Sequence, residues 1–233
     1  MKSINYICYT NYMTLMDVNK LIECFIERYK NEASKKEESI YVKYIEKFRE
    51  DVDKGDVVLR KVTKKDVEEY VRPFLYKWGK MGRVLGRIPS WEAKLADKIR
   101  ENSQILESFR KKDLFEADID DEKIKSDIKK CYRSFEGVIK QTAAAKTLNL
   151  ICPKFFPAWD SSILWAFKKE IDSNRRNKPY EDIYYMFMKK VKKLFEEYED
   201  IFTKYTECNK SKLKIVDECL WWATNRPLSL LLI

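Results

Sequence analysis

The sequence predicts an all-α fold, and three observations carry that expectation. Apolar residues recur at the 3.6-residue spacing of amphipathic helices through almost the whole chain. Only five glycines and six prolines are spread over 233 residues, too few to punctuate a series of short strands. The single stretch of strand-like composition, Val57-Val58-Leu59, is too short to found a sheet. A hydrophobic fraction of 45% is enough for the core of one large domain, or of one domain with an appendage.

Taken in order, Asp17 caps a first helix with Val18, Leu21, Ile22, Phe25 and Tyr29 in phase, and Asn31 to Ser39 reads as a charged connector. A second helix carries Tyr41, Tyr44, Ile45, Phe48 and Val52 and stops at Lys54-Gly55-Asp56. Residues 1–56 therefore read as an N-terminal helical hairpin, open to being an addition to a core of residues 57–233. From Thr63 the positions Val67, Tyr70, Val71, Phe74, Leu75 and Trp78 keep helical phase through Pro73, which predicts a kink or a restart there. Ser90 is expected to cap a helix with Trp91, Leu95 and Ile99, and a short helix follows with Ile105, Leu106 and Phe109. The acidic run Asp118 to Glu122 suits a helix N-terminus, and the helix it opens shows Ile124, Ile128, Cys131 and Phe135 on one face up to Gly137. A second arm from Gln141 to Cys152 packs through Ala144, Leu148 and Ile151. Pro153 and Pro157 hold Phe155-Phe156 out of helix, and Asp160 then opens a helix with Ile163, Phe167 and Ile171. After a basic loop from Ser173 to Pro179, a long helix from Tyr180 to Tyr205 and a last one from Ser211 to Ala223 are expected, with an apolar tail from Leu228 to Ile233.

Lysine and arginine exceed the acidic residues by 47 to 38, a net +9 that fits a phosphate-rich partner and equally fits a thermophile-type surface rich in lysine and glutamate. The chain has no histidine, so imidazole chemistry is excluded and carboxylates, lysines and amides must do any work. Its six cysteines fall at wide intervals without metal-ligand spacing, so no metal and no cofactor is expected and the thiols read as small buried hydrophobes. No segment approaches the roughly 18 apolar residues of a membrane span, and the N-terminus lacks an apolar run with a cleavage site. A cytoplasmic protein without membrane contact is the expectation.

The stretch Glu136-Gly137-Val138-Ile139-Lys140-Gln141-Thr142-Ala143-Ala144-Ala145-Lys146, followed by Phe155-Phe156-Pro157-Ala158-Trp159-Asp160-Ser161-Ser162-Ile163, resembles the helix-hairpin-helix DNA glycosylase superfamily of the endonuclease III and archaeal oxoguanine glycosylase type. In that family a Leu-Pro-Gly-Val-Gly-x-Lys-Thr-Ala hairpin precedes a Val-Asp-x-x-Val/Ile segment with the catalytic aspartate. Gly137-Val138 matches the first Gly-Val, Thr142-Ala143 the Thr-Ala, and Asp160 the aspartate; Ile139 stands at the second glycine and Gln141 at the nucleophilic lysine of bifunctional members. A weaker likeness to the closing Leu-Asp-x-x-Leu-Trp helix covers Val216 to Trp222. The resemblance implies an all-α, multi-helix glycosylase-like fold, double-stranded and damaged DNA as partner, and action as a monomer.

On that basis the hairpin, with Gly137, Val138, Ile139, Lys140, Thr142 and Lys146, is expected to grip the DNA backbone, since a tight turn at a helix start turns unpaired N–H groups outward. Lys77 to Arg87, with Lys80, Arg83 and Arg87 among glycines, fits a second phosphate contact, or a plain turn with solvated cations. Asp160 fits an N-cap, or a carboxylate that stabilises a cationic sugar and orients water, and the two roles can coexist. Glutamine cannot form a Schiff base, so a monofunctional glycosylase is the leading expectation, with the neighbouring Lys140 as an alternative nucleophile. For an extruded base, Trp159 is the nearest aromatic, with Trp78, Trp91 and Tyr132 behind it, and residues of this kind are more often core than pocket. A non-catalytic helix-hairpin-helix module and a helical protein-interaction domain are the competing classes.

Overall fold

The computed structural model describes residues 35–172, 178–204 and 211–225. The expected first helix lies outside the described residues, as do residues 173–177 of the basic loop and the apolar tail. Among the described residues every regular element is helical and no strand occurs.

Helix α1 (Lys35–Lys54) starts inside the charged stretch expected as a connector, and Gly55, at φ 86°, closes it as expected. Val57 and Leu59 are buried, but in a loop and a 3₁₀ turn (Leu59–Lys61) that seats them on the core without any strand. Thr63 and Asp66 form a capping box at α2 (Lys64–Asp66), the Asp66 carboxylate accepting from the Thr63 N–H at 2.7 Å. A π-helical turn (Val67–Val71) then leads into α3 (Arg72–Lys77). Proline at position 73 lacks an N–H and crowds the carbonyl one turn back; the widened turn just ahead of it absorbs that mismatch, where a kink or restart was expected.

After α4 (Gly82–Leu85) come α5 (Trp91–Glu101) and α6 (Ser103–Arg110). Ser90 occupies the N-cap position of α5 at φ 54° but its hydroxyl makes no capping bond, so that expected role is absent. Asp121 does cap α7 (Glu122–Ile139), its carboxylate accepting from the N–H groups of Lys123 and Ile124 at 3.0 and 2.9 Å. Then follow α8 (Gln141–Ile151), α9 (Ser161–Asp172) and α10 (Tyr180–Glu197). The long helix expected to Tyr205 breaks at Tyr198 (φ −128°), and α11 (Glu199–Lys204) restarts with two acidic residues in its first turn. Helix α12 (Lys212–Asn225) closes the described chain, with the Ser211 hydroxyl accepting from the Lys214 N–H at 3.2 Å.

Helix α8 is the axis of the fold. Every residue from Ala143 to Ile151 is buried, and α1, α3 and α7 pack around it. Alanines at 143 to 145 let these neighbours approach closely, and the polar residues carried inside, Lys146, Thr147 and Asn149, each find a carbonyl to donate to. Helix α7 in turn lies on α10, where Tyr132 stacks on Tyr184 at 4.3 Å and Trp159 meets Tyr184 edge-on at 5.0 Å. The described cysteines, Cys131, Cys152 and Cys219, are free and buried, and burial pushes the Cys131 thiol up to about 12. No described helix is long and apolar enough to cross a membrane.

Candidate functional site

The corner between α7 and α8 is a single residue. Lys140 stands at φ 70°, ψ 170°, a conformation that L side chains rarely adopt and that costs about 1–3 kcal/mol. The surroundings over-determine it. The Lys140 N–H donates to the Glu136 carbonyl at 3.0 Å and its carbonyl accepts from the Ala144 N–H at 2.9 Å. The Tyr132 hydroxyl and the Trp159 indole N–H converge on the Gln141 carbonyl at 3.2 and 3.3 Å, and the Gln141 amide donates to Glu136 Oε1 at 2.9 Å. Lys140 is exposed, Val138, Gln141 and Thr142 are half-buried, and Gly137 lies in the exposed last turn of α7. Ile139 is fully buried, so its side chain belongs to the core and takes no part in a DNA contact.

The bond from Trp159 to the Gln141 carbonyl sets the next residue, Asp160, beside this corner. Asp160 caps α9: its carboxylate accepts from the Ile163 N–H at 2.8 Å and its carbonyl from the Leu164 N–H at 3.0 Å. Asp160 as a residue is half-buried. The aromatic residues expected to line a base pocket behave differently. Trp159 and Tyr132 are fully buried and meet edge-to-face at 5.8 Å, and Trp91 is buried as well; all three are core, because burying their large surfaces outweighs any gain from leaving them open. Trp78 is half-buried, stacked on Phe74 at 4.8 Å.

Beside Trp78 the structure assembles a group that the periodic pattern does not reveal. Lys146, expected on the DNA surface, is only 8% exposed; its ammonium donates to the Gly79 carbonyl at 3.0 Å and lies 5.0 Å from the Trp78 ring centre. Lys214, 6% exposed, lies 5.0 Å from the same ring and 4.6 Å from that of Tyr41, and pairs with Asp217 at 2.9 Å and Glu218 at 3.5 Å. Tyr41 donates to Asn149, which donates in turn to the Phe156 carbonyl at 2.8 Å. Burial pulls the Lys146 ammonium below its ordinary value, against the opposing fields of Asp217 and Asp160. Burial also pulls on Lys214, but Asp217 and Glu218 outweigh it and hold that ammonium above the usual lysine range. The one signal available in the sequence is compositional: Lys146 and Lys214 are cations set among apolar helical neighbours, Ala143 to Leu148 and Leu213 to Val216.

The basic segment joins this group through Gly79. A Cβ on Gly79 would lie 2.6 Å from the Leu75 carbonyl oxygen, and the Gly79 N–H donates to the Phe74 carbonyl at 3.0 Å. This glycine serves the end of α3, and its burial closes its backbone to phosphate. Lys80 (φ 56°), Arg83 and Arg87 are exposed. The bond from Lys146 to the Gly79 carbonyl brings the basic segment against α8. No family model matches the chain, nor does any curated protein or solved structure.

Proposed function

We propose that the chain is a DNA-binding protein that hydrolyses the N-glycosidic bond of a damaged base, with Asp160 as the catalytic carboxylate and water as the nucleophile. The observation that supports this most is the tie from Trp159 to Gln141, which keeps the carboxylate of half-buried Asp160 next to a strained helix corner. Such a carboxylate favours the cationic sugar as the bond breaks and orients the attacking water. The glycine-type backbone sits at Lys140, one residue later than the motif placed it, so the motif's lysine falls on Thr142 in place of Gln141. Neither side chain is an amine, and the monofunctional reading holds in both registers. Exposed Lys140, Lys80, Arg83 and Arg87 supply phosphate contacts without reading sequence. The protein is proposed to act on double-stranded DNA as a monomer in the cytoplasm.

The test is base release from duplexes carrying uracil, alkylated or oxidised bases. Asp160→Asn keeps a side-chain oxygen for the cap and removes the charge; release should fall roughly 10²–10⁴-fold with folding nearly intact by circular dichroism. A second reading, a binding module without chemistry, draws support from the burial of Trp159 and Tyr132, which removes two of the aromatics expected to receive a base. Salt-dependent duplex binding with no base released from any lesion would decide for it.

A further inference from the structure

Helix α9 carries on its outer face a feature the hairpin does not use. Trp165 is 68% exposed, the largest exposure among the large hydrophobic side chains of the described residues. Leaving an indole in water forfeits a burial worth about 1.5–3 kcal/mol for a large apolar side chain; a lone exposed ring is ordinary, and what singles this one out is the cation carried over it. Helical spacing puts Trp165 on the same face as Ser161, and five residues along the axis from Asp160 amount to about 7.5 Å. That is roughly the height of two stacked nucleotides at about 3.4 Å each.

The chemistry around the ring favours an anionic, aromatic partner. The Lys168 ammonium sits between two rings, 5.9 Å from the centre of Trp165 and 5.2 Å from that of Tyr180, so the cation is carried at a fixed place beside the exposed indole. On α10 the two acidic residues of the first turn are turned to other cations: Glu181 accepts from Arg133 at 2.6 Å, and Asp182 pairs with Lys129 at 2.7 Å, both from α7. Further along α10, Lys190 lies 5.5 Å from the Phe167 ring. An exposed indole with a lysine ammonium over one face, on a chain of net charge +9, has the composition of a stacking site that takes an unpaired base on its other face.

We propose that Trp165, with Lys168 over one face, is a stacking platform for an unpaired nucleobase close to the nucleotide presented to Asp160. The proposal rests on the nucleic-acid reading above and not on catalysis. It is tested by anisotropy titration of fluorescein-labelled dT12 and of a fully paired duplex of equal length, using the full chain. Trp165→Ala should weaken dT12 binding about 5- to 100-fold and duplex binding by less than threefold, as expected for loss of one stacked base. Trp165→Phe should recover most of the loss. The salt slope should be unchanged in Trp165→Ala, whose ring is neutral, and flatter by about 0.7 in Lys168→Ala. Equal affinities for wild type and Trp165→Ala overturn the proposal, as does an equal loss on duplex and single strand. A change of molar mass in light scattering on Trp165→Ala also overturns it, because the ring then serves a contact between copies. Base release that persists without any Trp165 effect removes the platform alone; a Trp165 effect without base release removes the glycosylase reading alone.

Discussion

Two corners of this molecule are turned by a lysine at positive φ, and they are built in opposite ways. After α3 the chain turns through Gly79 and Lys80, with no room for a side chain at Gly79, and a buried ammonium from α8 clamps the Gly79 carbonyl from inside. After α7 it turns at Lys140 alone, in a more strained conformation, while the nearest glycine, Gly137, has open space around it. The first corner is fixed by what fills it; the second is held by hydrogen bonds that converge on Gln141, Glu136 and the Lys140 carbonyl. A corner whose strain is balanced from one side, with the other facing solvent, is the one suited to meeting a ligand.

The contrast can be broken most severely at Gly79. Gly79→Ala places a methyl group against backbone that cannot move aside, so it should destabilise by about 2–4 kcal/mol, read as a lower urea midpoint at unchanged slope. Lys146→Met tests the clamp itself. It leaves the Gly79 carbonyl without its donor and should cost about 1–3 kcal/mol. Its pH dependence has a definite sign. The folded-state value of Lys146 is depressed below the ordinary 10.5, so between the two values the unfolded chain holds more protons and wild-type stability rises with pH. The methionine variant lacks that increment, so the gap in favour of wild type should widen between neutral pH and pH 10; a constant gap would mean the amine is not desolvated.

At the other corner the substitutions should stabilise. Lys140→Gly relieves the strained backbone against the larger chain entropy of glycine, for a net gain of about 0.5–1 kcal/mol, and should flatten the salt dependence of duplex binding by about 0.9 if that cation meets a phosphate. Gly137→Ala fills open space in a helical turn and should gain a similar amount, about 0.5–1 kcal/mol, with no effect on the corner or on the salt dependence. A destabilised Gly137→Ala would show that the second corner, too, is set by packing.

The helices were legible because each buries a stripe: Ile128, Cys131 and Phe135 on α7 recur at helical spacing and all reach the core. The cap at Asp160 was legible too, since a short acid follows Pro157-Ala158-Trp159 and precedes an apolar phase. The residues that the pattern misplaced are those decided by distant partners. Lys146 reads as a solvated cation until Gly79, 67 positions earlier, presents its carbonyl. Trp159 fits both core and pocket in the sequence, the core more often, and Tyr184 and Phe187 packing on its ring put it in the core. The break at Tyr198 leaves no mark in the periodicity, because α10 and α11 both remain amphipathic across it.

The enclosure of α8 has a dynamic consequence. A helix buried on every side cannot open without displacing α1, α3 and α7 together, so its backbone amides should exchange with solvent deuterium only through global unfolding. Those slow amides belong to the helix whose first turn forms the Lys140 corner. Any molecule that binds the folded chain there shifts the unfolding equilibrium by mass action and slows the same amides, so the interior of α8 works as a gauge of occupancy at its exposed end, readable without knowing the ligand's chemistry.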